Sequence, residues 1–305
     1  MEVTLVVNPV ASSLTRRALV VIKKALAADH DLTVMETTRK GQAIRMAHGA
    51  ARAGADVIVA LGGDGTINEV ANGVLGDDCM IAPLPGGSTN VFARSVGYPN
   101  DAVEATAVLL EALAAGSFRS ASVGEANGRA FLFHVGMGFD AEVVDRVERR
   151  GYLKRYMGHP LFMAAAVATW MRTGTRRPFS VTTDDGRTID DALMAVALNT
   201  TPYTYLGTQP LHLAPEASLS APLSMVVLTS LSPRMVPLLV TATRNQRGLA
   251  NKAGAHHLVD VEGAMVSGDE PFHYQLDGES MDPVRRLVLR HRPDAVRLVV
   301  PVDGG

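Results

Sequence analysis

The sequence predicts an α/β N-terminal domain built on a parallel sheet, with glycine-rich turns at its strand ends, followed by a mostly antiparallel, β-sandwich-like C-terminal domain. Three observations carry this expectation. Uncharged apolar runs alternate with amphipathic helical patterns early in the chain, several of those runs end in glycines, and after Gly116 strands follow one another with turn dipeptides between them. Strand and helix in alternation is the pattern of a parallel sheet buried on both faces, whereas consecutive strands with short turns build an antiparallel one.

Element by element, residues 5–7 read as a first strand. Residues 16–26 read as a helix, with Leu19, Val20, Ile22 and Leu26 set against Arg17, Lys23 and Lys24. A strand follows at 32–36, an Ala-rich helix at 41–53, a continuous apolar strand at 56–61, a helix at 67–75 and an apolar segment at 80–82. In the second region, Asp185-Gly186 marks a hairpin after a strand at 179–183, and further strands are expected at 131–135, 223–229, 257–262, 274–276, 286–289 and 296–300, with a helix at 234–249. The acidic group Asp184, Asp185, Asp190 and Asp191 reads as solvated turn residues rather than a metal site.

With 305 residues and 47% hydrophobic content, the chain has material for two cores. Lys and Arg number 29 against 31 Asp and Glu, so the basic footprint of a nucleic-acid binder is missing and no nucleic acid is expected as partner. The single cysteine, Cys79, sits beside Met80 and Ile81 and reads as a buried apolar residue in a reducing compartment. Residues 2–9 look like a strand rather than a secretory signal, and the apolar stretch 160–171 falls short of the roughly 20 residues that cross a bilayer.

Gly62-Gly63-Asp64-Gly65-Thr66 places glycines between a buried strand and a helix. Glycines let the backbone approach a phosphate, and the first N–H groups of the helix favour negative charge there. A carboxylate in such a turn would repel a phosphate unless a divalent cation lay between them, so Asp64 suggests magnesium carried with a nucleotide; the alternative is a plain helix cap. A second turn, Pro85-Gly86-Gly87-Ser88-Thr89-Asn90, follows the next apolar segment, and its short polar side chains suit the same ligand or simply a Ser/Thr-rich loop. Gly136-Met137-Gly138-Phe139-Asp140-Ala141 matches a loose dinucleotide fingerprint, but no acid occurs between Glu148 and Asp184 to hold a ribose, so that reading is rejected. Asp277-Gly278-Glu279 sets two carboxylates around a glycine at a strand end. Asp277 would suit a general base for phosphoryl transfer provided it faces the glycine turns, and a hairpin turn is the alternative.

Taken together, these residues resemble the diacylglycerol kinase catalytic-domain family, which includes sphingosine and ceramide kinases and bacterial soluble lipid kinases. The resemblance rests on Asn8-Pro9, Thr37-Thr38 with Gly41-Gln42-Ala43, the two glycine turns, Asn68-Glu69, Gly138-Phe139-Asp140 and Asp277-Gly278-Glu279. It implies an ATP-dependent kinase acting on a membrane lipid hydroxyl, diacylglycerol first, with Mg2+. It further implies that Asn8, Thr38, Gly62, Gly63, Gly65, Thr66, Gly86, Gly87, Ser88 and Thr89 hold the nucleotide, that Asp64 acts through the metal, and that Asp277 with Glu279 serves the chemistry. Lys154 is similar to a lysine near the transferred phosphate, or is a solvated helix residue. The resemblance assigns 1–121 with 293–305 to a nucleotide-binding domain and 122–292 to a lipid-binding one, with residues 296–301 returning to the first. It implies a cytoplasmic protein transiently associated with the membrane surface, and leaves a homodimer open.

Three departures stand out: Val10-Ala11-Ser12-Ser13 where the family runs toward Ser-Gly, Val91 where it carries an acid, and Ala221-Pro222 where many relatives hold a structural magnesium, here expected to be absent. The basic residues Arg149, Arg150, Lys154, Arg155, Arg172, Arg176 and Arg177 flank Leu161, Phe162, Met163 and Trp170, which suits an interfacial segment or ordinary core packing. NAD kinase, which shares the first glycine turn and a following Asn-Glu pair, is the enzymatic rival. A catalytically silent lipid-binding protein of the same fold is the non-enzymatic one.

Overall fold

The computed structural model describes residues 1–148, 178–231 and 254–302. The segment 149–177, with Lys154, and the helix expected at 234–249 lie outside the described residues. The chain divides into two compact units, Met1–Ser122 with Asp294–Gly305, and Val123–Pro293.

In the first unit the elements are β1 (Glu2–Val7), α1 (Arg16–Asp29), β2 (Asp31–Glu36), α2 (Gln42–Arg52), β3 (Val57–Gly62), α3 (Asp64–Gly73), β4 (Met80–Pro85), α4 (Val91–Ser95) and α5 (Ala102–Ala115). The strands lie parallel in the order β2-β1-β3-β4. Arg297 and Leu298 continue the sheet in parallel beside Met80 and Ile81. Every residue of β3 is buried whereas the edge strand β2 is largely exposed, which is why β3 reads as an unbroken apolar run. Thr15 caps α1, its hydroxyl accepting the Ala18 N–H at 3.1 Å. Helix α2 buries Ala43, Ala47 and Ala50 and meets α3 at Gly73, where a Cβ would come within 2.5 Å of the Ile44 carbonyl oxygen. Cys79 is buried, and that burial, with Asp77 and Asp56 nearby, pushes its thiol up to about 11.

One local expectation is corrected and one element is added. Helix α3 begins at Asp64 rather than 67, because Gly63 is extended at its N-cap and the helix springs directly from the glycine corner. Helix α5 is not among the predicted elements; Asp101 accepts the Val103 and Glu104 N–H groups at its start and Gly116 closes its end with φ 65°.

The second unit is mostly antiparallel. Its elements are β5 (Phe118–Ala126, beginning in the first unit), β6 (Arg129–Phe131), β7 (His134–Gly138), α6 (Phe139–Glu148), β8 (Phe179–Thr183), β9 (Thr188–Ala192), β10 (Met194–Leu198), β11 (Thr204–Leu206), β12 (Gln209–Leu211), β13 (Leu223–Leu228), β14 (Ala255–Val261), β15 (Gly263–Leu276) and β16 (Glu279–Val299, ending in the first unit). The main path runs β14-β13-β10-β7-β15-β16; β8 pairs with β15 and β9, β6 with β5, and β11 with β12. The strands expected at 286–289 and 296–300 are one strand, β16, which carries Pro283 and Pro293 within it.

The strand expected at 131–135 is broken at Leu132 and Phe133. Beyond the break, period-two alternation sends Val135 and Met137 into one core with Tyr274 and Leu276. His134, Gly136 and Gly138 take the other face, where Asp140 of α6 reaches back over the strand. A Cβ on Gly136 would lie 1.6 Å from Asp140 Oδ2, and Gly138 needs φ 68°. The spacing of this motif therefore makes room for a buried carboxyl group, which gives the rejected dinucleotide reading its physical replacement.

His134 is fully enclosed, its ring 4.6 Å from that of Tyr203 and 4.8 Å from that of Phe133. Its Nδ1 has no hydrogen-bond partner among the described residues. Burial lowers its pKa to about 3 from the ordinary 6.5. Between those values the unfolded chain binds a proton that the folded one does not, so stability falls as pH drops from 6.5 toward 3. Replacing His134 with Phe should remove that contribution, and the gap between wild type and variant should change by about 1.4 kcal/mol per pH unit below about pH 6. Denaturant unfolding of both proteins across the range reads this directly; parallel profiles would refute it.

Candidate functional site

In a sheet of order β2-β1-β3-β4, the chain leaves β1 toward one edge and β3 toward the other. The loops following these two strands diverge, and the space outside their carboxyl ends is where open α/β sheets bind ligands. The glycine turns lie at that end of the sheet. Asn8 follows β1, Thr38 lies just beyond β2, Gly62 and Gly63 close β3, and Gly86 and Gly87 follow β4.

These loops are joined through their backbones. The Asn8 N–H donates to the Leu61 carbonyl at 3.0 Å, the Gly86 N–H to Gly62 at 2.7 Å, and the Ser13 N–H to Gly86 at 3.0 Å. A Cβ on Gly86 would stand 2.9 Å from Gly62 Cα, and one on Gly87 2.8 Å from Gly63 Cα. A Cβ on Gly62 would press on the Thr66 side chain at 2.6 Å. The two turns thus lie backbone against backbone, which only glycine allows.

Asp64 occupies the first turn of α3, yet it caps a different helix. Its Oδ2 and Oδ1 accept the Val91 and Phe92 N–H groups, each at 3.0 Å, at the start of α4. Asn90, at φ 51°, closes the second glycine turn on itself: its Oδ1 accepts the Gly87 N–H at 2.7 Å, and its Nδ2 donates to the Gly87 carbonyl at 2.9 Å and to Asn100 Oδ1 at 2.8 Å. Ser88 is exposed at the tip of that turn and Thr89 is half-buried. Gly65 and Thr66 lie in the first turn of α3, whose N–H groups and dipole favour an anion.

Glu69, of the Asn68-Glu69 pair, serves the start of α2. Gly41, the N-cap of α2, is left-handed at φ 79° and has no side chain to cap with. Glu69 supplies the missing acceptors, Oε1 taking the Gly41 N–H at 2.6 Å and Oε2 the Ala43 N–H at 3.0 Å. Thr38 lies at the same helix start, donating from its N–H and hydroxyl to Gln42 Oε1 at 2.8 and 3.1 Å. The signal was present as the pair Gly41 and Glu69, but nothing in the spacing reveals that they meet.

As for magnesium, a hard cation suits a carboxylate such as that of Asp64. Among the described residues no group of three or more His, Cys, Asp or Glu side chains gathers to hold a metal ion. A cation at Asp64 would therefore draw most of its ligands from phosphate and water, as magnesium commonly does.

The acidic turn belongs to the second unit. Leu276 pairs with Glu279, so Asp277 (φ 47°) and Gly278 (φ 79°) form a two-residue hairpin loop with both residues left-handed, as an Asp-Gly type I′ turn requires. The hairpin alternative is thus correct for the backbone, but the side chain does more. Asp277 is 4% exposed, and its carboxylate accepts the N–H groups of Leu132, Phe133 and His134 at 2.7, 3.0 and 3.1 Å. Those are the amides at the break between β6 and β7. Glu279 forms a partly buried ion pair with Arg129 at 3.3 Å.

The first unit therefore has the form of an α/β domain that would hold an anion by its backbone at paired glycine corners. Residues 2–126 match the family model described as diacylglycerol kinase catalytic domain. The chain is 36% identical over 121 residues to a diacylglycerol kinase of Bacillus subtilis, covering 39% of each. It is 33% identical over 162 residues to a Pseudomonas aeruginosa protein named "Probable lipid kinase YegS-like", covering 52% of this chain and 49% of that one. The chain thus spans less than half the length of these curated relatives. In fold it is similar to a diacylglycerol kinase from Bacillus anthracis, with TM-score 0.73 at 22% identity over 100% of this chain and 98% of the other. An NAD kinase from Archaeoglobus fulgidus in complex with ATP is a more distant fold neighbour, with TM-score 0.54 at 13% identity, covering 98% of this chain and 94% of that one.

Gly86→Ala should lower stability by about 1–3 kcal/mol, because its new methyl meets backbone that cannot move aside. Gly49→Ala, in helix α2 with nothing within 4 Å of the added Cβ, should instead stabilise by up to about 1 kcal/mol. Denaturant midpoints for the pair check the contrast, and a harmless Gly86→Ala would disprove the close contact.

Proposed function

We infer that this chain is an ATP-dependent kinase that transfers the terminal phosphoryl group of ATP to a hydroxyl of a membrane lipid, with diacylglycerol the first candidate. The observation that carries the reading is the pair of glycine corners, packed backbone to backbone at the carboxyl ends of β3 and β4, inside the segment that matches the diacylglycerol kinase catalytic domain. Phosphoryl transfer asks mainly for positioning and charge neutralisation, which a rigid corner of backbone N–H groups supplies.

In this reading the first turn of α3, Gly63 to Thr66, receives phosphate oxygens, and Asn8, Thr38, Gly86, Gly87, Ser88 and Thr89 border them. Magnesium, held by Asp64 together with the phosphates, would neutralise charge on the transferred group. Asp277 accepts the proton of the attacking hydroxyl. Its support is a buried carboxylate whose place is set by three backbone N–H groups, with Glu279 beside it in the same turn. A role for Lys154 near the transferred phosphate rests on the family resemblance alone, since it lies outside the described residues. The lipid would be met at a membrane surface; among the described residues no helix is long and apolar enough to cross a membrane.

Purified protein incubated with terminally labelled ATP, magnesium and, separately, diacylglycerol, sphingosine, ceramide and NAD should label diacylglycerol; label in NAD alone would favour the kinase of the distant fold neighbour. Asp277→Asn should reduce turnover about 100-fold or more while ATP affinity stays near wild type. Its unfolding midpoint, measured alongside, separates loss of the base from loss of the fold. Full activity in this variant would remove Asp277 from the role.

A further inference from the structure

Asp140 is the buried carboxyl group for which Gly136 makes room. It is 5% exposed, lies in the first turn of α6, and is held by neutral groups. The Tyr203 hydroxyl donates to its Oδ1, and Gln275 Nε2 donates to its Oδ2 at 2.9 Å. Gln275, itself fully buried, uses its other amide atom on the acidic turn: Oε1 accepts the Gly278 N–H at 2.8 Å. Gly278 is the second residue of the two-residue loop in which Asp277 is the first.

The geometry points to Asp140 as a positioning residue that acts through Gln275 to fix the turn carrying Asp277. This rests on the reading of Asp277 as the base. A side-chain amide is nearly symmetric in shape, so something must decide which end faces the turn. Asp140 accepts from the NH2 end and thereby presents the carbonyl end to Gly278. Without Asp140, Gln275 loses that orientation and the Gly278 N–H loses its fixed acceptor.

Burial pushes the Asp140 carboxyl up, against the opposing pull of its bonds to Tyr203 and Gln275, and Tyr203 is raised well above its ordinary value by the same burial and by Asp140. An asparagine keeps the contact that orients Gln275, its carbonyl oxygen accepting from Gln275 Nε2 as Asp140 Oδ2 does.

The test compares full-length Asp140→Ala and Asp140→Asn with wild type by hydrogen exchange at the Gly278 amide, by kcat for lipid phosphorylation and by KM for ATP. Asp140→Ala should speed Gly278 exchange about tenfold or more and lower kcat about 10- to 100-fold with KM for ATP within about twofold. Asp140→Asn should restore both. If Asp140→Ala does not fold, Asp140→Thr, close in volume but too short to reach Gln275, carries the same readouts. Unchanged exchange at Gly278 in the folded Ala or Thr variant, or an Asn variant as impaired as Ala, overturns the assignment. Faster exchange with kcat intact supports the fixing of the turn and overturns the role of Asp277 as base.

Discussion

Backbone N–H groups that no neighbouring strand or turn can satisfy govern how this chain is held together. A helix begins with N–H groups lacking intrahelical partners, and a strand that bends out of its ladder exposes the same need. Among the described residues, carboxylates answer it at several places: Asp64 at the start of α4, Glu69 at the start of α2, Asp101 at the start of α5, and Asp277 at the break before β7. Each bond joins a charged acceptor to a backbone donor, which makes it stronger than a neutral pair, and leaving such a donor buried and unmet would cost about 1–3 kcal/mol.

That arrangement explains why the glycine corners can be so bare. The Asp64 side chain fixes α4 and the Asn90 side chain closes its own turn, so these two hold the loops after β3 and β4 while the glycines between them are left to touch. The Gly86 and Gly87 N–H groups are spent on that rigidity, so the donors left for a ligand are those at the start of α3. Preorganised donors of this kind are what an incoming phosphate requires, since it then pays little to order them.

Much of this architecture was legible in the sequence. The runs at β1, β3 and β4 are apolar because both faces of the sheet are covered, and α1 and α2 show their buried stripes plainly. What could not be read were contacts between distant positions. Glu69 meets Gly41 and Ala43 across 28 and 26 residues, and Asp277 meets Leu132 across 145. Neither separation leaves a mark on local periodicity. For the same reason the segment at 131–135 passed for one strand: its composition suits a ladder, and only an acceptor supplied from the far end of the chain breaks it. The glycines at 136 and 138 were noticed as a motif, but their purpose depends on Asp140 and Leu193, which spacing alone does not bring together.

Cys79 offers a practical opening. The sequence has no other cysteine, and this one is buried with its thiol held at about 11, so at neutral pH it presents almost no thiolate to a reagent. Ser88, by contrast, stands exposed at the crest of the second glycine turn. A cysteine introduced there would be the reactive one, so a fluorophore or spin label could be attached at the rim of the corner without first stripping the background, turning the loop itself into the reporter of what settles against it.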